Sequence, residues 1–231
     1  MRYLFVFLMA ALCGCATTPQ SFDIGAQYLG AKYVLDPLGE GTAPDSDPLI
    51  RDDAFDCTTF VETVLSGYDL EKLNKIRYAN GEIGFLNRNH FIETDWLPNN
   101  ADLVENVSAQ YGTTKIRHVV TNKKSWLHKV HGIDINVPSR SADLQYLPYS
   151  AFDKINNQEP LIVLFVTDKG KKCDNIGTDI AVVHMGFLLP NGILRHASSS
   201  SQMVMDTDFY KYIEQRQKTK NNIGIALVKI K

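Results

Sequence analysis

The stretch Ile180-Ala181-Val182-Val183-His184-Met185-Gly186-Phe187-Leu188-Leu189-Pro190-Asn191-Gly192-Ile193-Leu194-Arg195-His196-Ala197-Ser198 places two apolar, β-rich runs on either side of a Pro-Asn-Gly turn. That pattern signals a β-hairpin, and its register decides what the hairpin can do. A two-residue Asn191-Gly192 loop pairs Pro190 with Ile193 and sends His184 and His196 to opposite faces, because side chains alternate along a strand. A three-residue loop pairs Leu189 with Ile193 and Gly186 with His196. The two histidines then share a face as diagonal neighbours, roughly 7–8 Å apart at Cα. Turn chemistry favours the second register: proline suits the first central position of a type I turn and glycine the left-handed position that follows. Gly186, opposite His196, leaves open space between the two rings.

Working outward, Leu161–Thr167 is a continuous apolar run that predicts a buried strand, and Ile223–Ile230 predicts a final one. Upstream the periodicity turns helical. Residues 22 to 33 predict a helix with Ile24, Tyr28 and Leu29 as its apolar stripe. Residues 36 to 54 carry Pro37, Gly39, Gly41, Pro44 and Pro48 and predict a loop. Phe60, Val61, Val64, Leu65 and Tyr68 predict a helix from Asp56–Cys57 to about Leu73, and a further helix is expected over Ala101–Tyr111. Helices first and strands last predict an α+β fold class with an antiparallel sheet. With no internal repeat and no boundary signal, residues 22–231 read as a single domain.

Asp56 suits the N-cap of the Cys57 helix, and Thr59 with Glu62 offers a capping box one turn later. Cys57 then sits in the first turn, where unsatisfied N–H groups and the positive end of the helix dipole favour a thiolate and can hold an oxyanion. Buried structural cysteine is the competing reading. A thiol nucleophile needs a base, and the hairpin supplies His184 and His196. The remaining histidines, His90, His118, His128 and His131, read as structural or exposed.

Composition narrows the function classes. The 24 basic and 26 acidic side chains give a net charge of −2, which argues against a nucleic-acid partner held by a basic face. Four cysteines in 231 residues are too few for a disulfide framework, and no CxxC pair suggests structural zinc. Arg2 precedes a ten-residue apolar run, Tyr3 to Leu12. The run is too short for a bilayer span, which needs about 20 residues, and fits a secretory signal. Leu12-Cys13-Gly14-Cys15 resembles a lipobox. Residues 1–14 are thus expected to be a lipoprotein signal peptide, Cys15 the lipid attachment site and residues 15–21 a lipidated tether, anchored rather than spanning. Ala16 after that cysteine resembles lipoproteins sorted to the outer membrane, so a periplasmic location is expected.

Asp56-Cys57-Thr58-Thr59-Phe60-Val61, His184-Met185-Gly186-Phe187 and His196-Ala197-Ser198, in that order, resemble the NlpC-type papain-like cell-wall hydrolases, as does Leu29-Gly30-Ala31-Lys32-Tyr33. The runs Leu35 to Gly41, Thr59 to Leu65 and Arg88 to Trp96 narrow the likeness to a subfamily of N-acetylmuramoyl-L-alanine amidase-like proteins. Gln158-Glu159-Pro160 replaces the usual Gly-Asp before the central strand, and Thr59 stands where glycine is usual. The resemblance implies a papain-like fold with the nucleophile Cys57 at a helix N-terminus against an antiparallel sheet. It implies His184 as general base, His196 as its orienting partner, and no metal or cofactor. Tyr33 would place a phenol near the oxyanion, Asp56 would cap the helix or contact substrate, and Asp95 with Trp96 would form part of the substrate wall. The implied substrate is the muramoyl–alanine amide of peptidoglycan fragments, cut by a monomer. A γ-D-glutamyl endopeptidase and a non-catalytic peptidoglycan-binding lipoprotein remain open. Cys173, in a polar loop predicted over Lys169 to Asp174, is either idle or paired with Cys57.

Overall fold

The computed structural model describes residues 23–168 and 171–231. The signal peptide, Cys15 and the tether lie outside the described residues. Among the described residues, ten strands form one sheet: β1 (Lys32–Tyr33), β2 (Ala54–Phe55), β3 (Val104–Asn106), β4 (Lys115–Thr121), β5 (Arg140–Pro148), β6 (Leu161–Thr167), β7 (Val182–Leu188), β8 (Ile193–Ser198), β9 (Met203–Asp208) and β10 (Asn222–Ile230). Their order is β2-β1-β9-β8-β7-β6-β10-β5-β4, with β3 paired to β10. Only β1 and β2 pair in parallel; the other pairings are antiparallel. The helices are α1 (Cys57–Ser66), α2 (Leu70–Arg77), the short α3 (Leu97–Asn99), α4 (Lys123–Trp126), α5 (Lys171–Ile176) and α6 (Phe209–Gln217).

Strand β6 shows why an unbroken apolar run was needed. Ile162, Leu164 and Val166 pack into one core with Phe60 of α1, Trp96 and Phe187. Leu161, Val163 and Phe165, on the alternate face, pack into a second core with Phe209 and Ile213 of α6. The sheet is thus covered on both sides, and a strand buried on both faces loses its apolar–polar alternation.

Three expected helices come out differently. Residues 23–33 hold only a 3₁₀ turn, Ala26–Tyr28, before β1. Gly25 (φ 71°) and Gly30 (φ 86°) adopt left-handed backbone that stops helix propagation, and the chain beyond pairs with β9 and β2 instead. The helix starting at Cys57 does not reach Leu73. Gly67 caps it with φ 63°, Tyr68 follows at φ 62°, and Asp69 restarts the chain as the N-cap of α2, accepting from the Lys72 amide at 2.9 Å. The third, Ala101–Tyr111, is strand β3 plus a 3₁₀ turn at Ser108–Gln110. Its backbone pairs Val104, Glu105 and Asn106 with Ile230, Lys229 and Val228; sheet pairing overrides a local helical pattern.

Candidate active site

The backbone at Asp56 sets the position of Cys57. Asp56 Oδ1 accepts from the Thr59 amide at 2.8 Å and from the Thr59 hydroxyl at 2.8 Å, while the Asp56 amide donates back to Thr59 Oγ1 at 2.9 Å. This reciprocal capping box joins Asp56 to Thr59, so Thr59 with Glu62 does not form it. Asp56 Oδ2 accepts from the Asp36 amide at 3.2 Å. Both carboxylate oxygens are therefore engaged in holding the helix start.

Cys57 is the first residue of α1, and the Met185 backbone amide of β7 faces its sulfur. Burial first, and then the Asp56 carboxylate, push its thiol up to about 12. The helix terminus alone would lower it. Here desolvation and a like charge outweigh the dipole, so the resting sulfur carries its proton.

The hairpin has the three-residue register. The Leu189 amide donates to the Ile193 carbonyl at 2.8 Å, Phe187 pairs with Arg195 and Leu188 with Leu194. A side chain at Gly186 would sit 2.8 Å from His196 Cβ and 2.8 Å from the Arg195 carbonyl, so glycine is required for the approach. His184 and His196 share a face, with His184 Nε2 2.7 Å from His196 Nδ1. A bulge in β7 adjoins His184: Phe165 pairs with His184 but Val166 with Val182, leaving Val183 unpaired. Such bulges re-aim side chains.

Both imidazoles are held neutral. Burial, then His196 and Arg216, keep His184 well below its usual value. Burial drives His196 down to about 4, with Asp206 opposing and Arg216 reinforcing the shift. Tyr212 of α6 packs against both rings, 6.0 Å from His184 and 5.1 Å from His196 between centroids. His196 Nε2 lies 3.4 Å from Thr207 Oγ1.

Cys57, Met185 and His184 line one cleft of about 350 Å³, together with Asp56, His90, Glu93 and Trp126. Tyr33 adjoins Cys57 and Asp56; burial and these two neighbours push its phenol up to about 12, so it keeps its proton. Asp95 and Trp96 are not brought to this cleft. Trp96 is completely buried, its indole donating to Glu62 Oε1 at 3.1 Å. Asp95 is buried and paired with Arg140 at 3.0 Å and Lys123 at 3.7 Å. Cys173 belongs to α5 rather than a loop; it is a free thiol, as is Cys57, with its sulfur 3.5 Å from Asp179 Oδ1.

Sequence reasoning passes over three residues at or beside the cleft and reads a fourth, His90, as structural or exposed, although it lines the cleft. Glu93 lies within the run Arg88 to Trp96, whose Asp95 and Trp96 read as the substrate wall. Trp126 is one of two tryptophans in the chain, and its flanking residues carried no clear pattern. Arg216, four residues after Tyr212 on α6, looks like ordinary helix-surface charge. Glu93 accepts from the Ala181 amide at 2.6 Å, and burial pushes its carboxyl up to about 7. His118 and His128 are exposed and pair with Asp143 and Asp134.

No curated protein matches the chain. Among solved structures, a Legionella pneumophila protein from a family of unknown function superposes with a TM-score of 0.81 at 23% identity, over 90% of this chain and 86% of that one. An N-acetylmuramoyl-L-alanine amidase from Bacteroides uniformis gives 0.69 at 23% identity, over 90% and 95%. A putative xylanase from Bacteroides fragilis gives 0.65 at 23% identity, over 89% and 98%. At such identities the likeness establishes a shared fold, a mixed architecture built on a large, mostly antiparallel sheet. A family model, AmiA-like, described as N-acetylmuramoyl-L-alanine amidase-like, matches residues 23–223. With most of its length matched by that model, the chain belongs to the N-acetylmuramoyl-L-alanine amidase-like family.

Proposed function

We propose that the protein is a cysteine amidase of papain-like, NlpC-type organisation that hydrolyses the bond between the N-acetylmuramoyl group and L-alanine in peptidoglycan fragments. The observation that carries the reading is a cysteine at the start of α1 sharing a cleft with a histidine whose far nitrogen is fixed 2.7 Å from a second imidazole.

Protonation bookkeeping assigns the roles. Two neutral imidazoles 2.7 Å apart share one N–H. If His196 Nδ1 carried it, His184 would hold its own proton on Nδ1 and could not serve as base. If His184 Nε2 carries it, His184 Nδ1 keeps a free lone pair, and His196 holds its proton on Nε2, donating toward Thr207 Oγ1. The second arrangement is the competent one. His196 and Thr207 thus fix the tautomer of the base, as the third member of a triad does.

Cys57 Sγ attacks the amide carbonyl carbon while its proton passes to His184 Nδ1. The carbonyl π pair moves to oxygen, held by the Cys57 backbone N–H at the helix start and by the Tyr33 phenol. Collapse breaks the C–N bond, and His184 returns the proton to the departing alanine nitrogen. A thioester remains. Water attacks it with His184 again as base, releasing the muramic carboxylate and the thiol. In the same proposal the chain acts as a monomer in the periplasm, tethered to the outer membrane through Cys15.

The test is mass spectrometry of muropeptides incubated with the protein beside Cys57→Ala. Bare sugar plus peptide beginning with L-Ala, seen only with the wild type, supports the amidase. Release of L-Ala–D-Glu instead reassigns it to the endopeptidases. Equal turnover by Cys57→Ala sinks the thiol mechanism.

A further inference from the structure

We propose that Trp126, backed by His90 and His131, is the platform on which the saccharide ring of the substrate stacks. The two tryptophans of the chain have opposite fates: Trp96 is sealed in the core, while Trp126 is half-buried and lines the cleft of Cys57 and His184. Trp126 is held from several sides. Its ring centroid lies 4.6 Å from His90, 4.6 Å from His131 and 5.3 Å from Phe91, at steep angles. An indole fixed in this way presents its remaining surface with little entropy left to lose on binding.

The lining chemistry selects the occupant. Leu35, Phe91, Ile180 and Val183 supply apolar surface. The ionisable carboxyls of the lining are Asp56 and Glu93, and among its described residues there is no lysine or arginine. A stem peptide carrying D-glutamate and further carboxylates would find no cation in the lining to pair with, since Lys123 and Arg88, which act on His90, are already paired with Asp95 and with Asp36, Glu40 and Asp45, and it would face the Asp56 carboxylate. An N-acetylated pyranose is uncharged and has one C–H face suited to an aromatic plane. It also needs hydroxyl partners. His90 Nε2 donates to the Phe85 carbonyl at 2.7 Å, since a carbonyl can only accept, and this leaves Nδ1 as an acceptor. The Glu93 carboxyl stands nearby in the same lining. A cleft of about 350 Å³ is at the lower end of small-ligand sites, which run from about 300 Å³.

The inference takes the identity of the sugar from the amidase reading, so its test is kept apart from turnover. Cys57→Ala protein is titrated with N-acetylmuramoyl amide, whose lactyl carboxyl is an uncharged carboxamide, and separately with the dipeptide L-Ala–D-Glu. Because Trp96 is sealed, acrylamide quenching reports on Trp126. The sugar is expected to shift the emission and protect it from quenching, the dipeptide to do neither, and Trp126→Phe in the same background to remove the response. Protection by the dipeptide alone, or by neither probe, overturns the proposal. In active protein, Trp126→Ala should lower kcat/KM about ten- to a hundred-fold on the muramoyl substrate and little on the same peptide carrying only a lactoyl group. Trp126→Phe should recover most of the loss. Equal losses on both substrates also overturn it, whereas a wild type that cleaves neither while still binding the sugar defeats the amidase reading alone.

Discussion

Two polar networks converge on Cys57, and they are built from opposite materials. Behind α1 the groups are charged. Glu62 Oε2 accepts from Arg77 at 2.6 Å and Glu62 Oε1 from the Trp96 indole, while Arg77 also donates to the Leu38 carbonyl at 3.0 Å. Arg88 is buried among Asp36, Glu40 and Asp45, at 3.1, 2.8 and 2.6 Å, and the Asp36 amide reaches the cap residue Asp56. Behind β7 the groups are neutral: two imidazoles, a phenol and the Phe165 ring, with Arg216 as a cation beside them, 5.4 Å from the centroid of Phe165. Paired charges fix a position because moving either partner exposes an unsatisfied ion. In the proposed mechanism the neutral imidazoles sit where a proton has to move. On that proposal the cleft takes its rigidity from one side and its acid–base capacity from the other.

The charged side gives the largest expected effect. Arg77→Met leaves Glu62 buried without its ion partner, and such breaks cost about 3–5 kcal/mol. The chain should unfold at markedly lower urea, and adding Glu62→Leu should recover much of the loss by removing the stranded carboxylate. If Arg77→Met left the urea midpoint unchanged, charge would not be what holds α1.

The neutral side answers to pH. His196 is shifted from 6.5 to about 4 in the folded protein, and His184 is lowered as well. The native state therefore binds fewer protons than the unfolded chain between these values. The stability contributed by His196 is fully present above about pH 6.5 and is lost as pH falls toward 4, at up to about 1.4 kcal/mol per pH unit. The groups facing the pair are Asp206, which raises His196, Arg216, which lowers both, and Tyr212. Arg216→Met should raise both histidines and move the acid limb of kcat/KM to higher pH by as much as they rise, with activity falling about ten-fold per pH unit only below the new limb. An unmoved limb would mean that burial alone keeps the imidazoles neutral.

The same contrast explains what could be read from the sequence. The hairpin register was legible because it depends on local turn chemistry at Pro190 and Gly192 and on strand alternation, and the observed pairing of Leu188 with Leu194 follows that register. The Asp56 cap is local too. The Trp96 expectation failed because burial is set by distant partners: Glu62 lies 34 residues away. Residues 101–111 failed for the same reason, as their pairing partner is the last strand of the chain. Trp126 reaches the cleft, and Arg216 the histidine pair beside it, through tertiary packing that no short-range pattern encodes.

The smallest effect isolates Asp56, where the two networks meet. Its carboxylate caps α1 and also raises the Cys57 thiol, so cap and charge can be separated by choice of substitution. Asp56→Asn keeps an acceptor for the Thr59 amide, and asparagine caps about as well as aspartate, while the negative charge beside the sulfur disappears. Because the asparagine nitrogen cannot accept from the Asp36 amide as Asp56 Oδ2 does, folding stability should fall by about 0.5 kcal/mol, and the thiol should fall, with iodoacetamide alkylation of Cys57 rising by up to about ten-fold per unit. Asp56→Ala removes the charge and the cap together; it should speed alkylation similarly but cost about 1 kcal/mol. Alkylation unchanged in Asp56→Asn would mean that burial alone keeps the sulfur protonated, and the charged network would then act on Cys57 only by placing it.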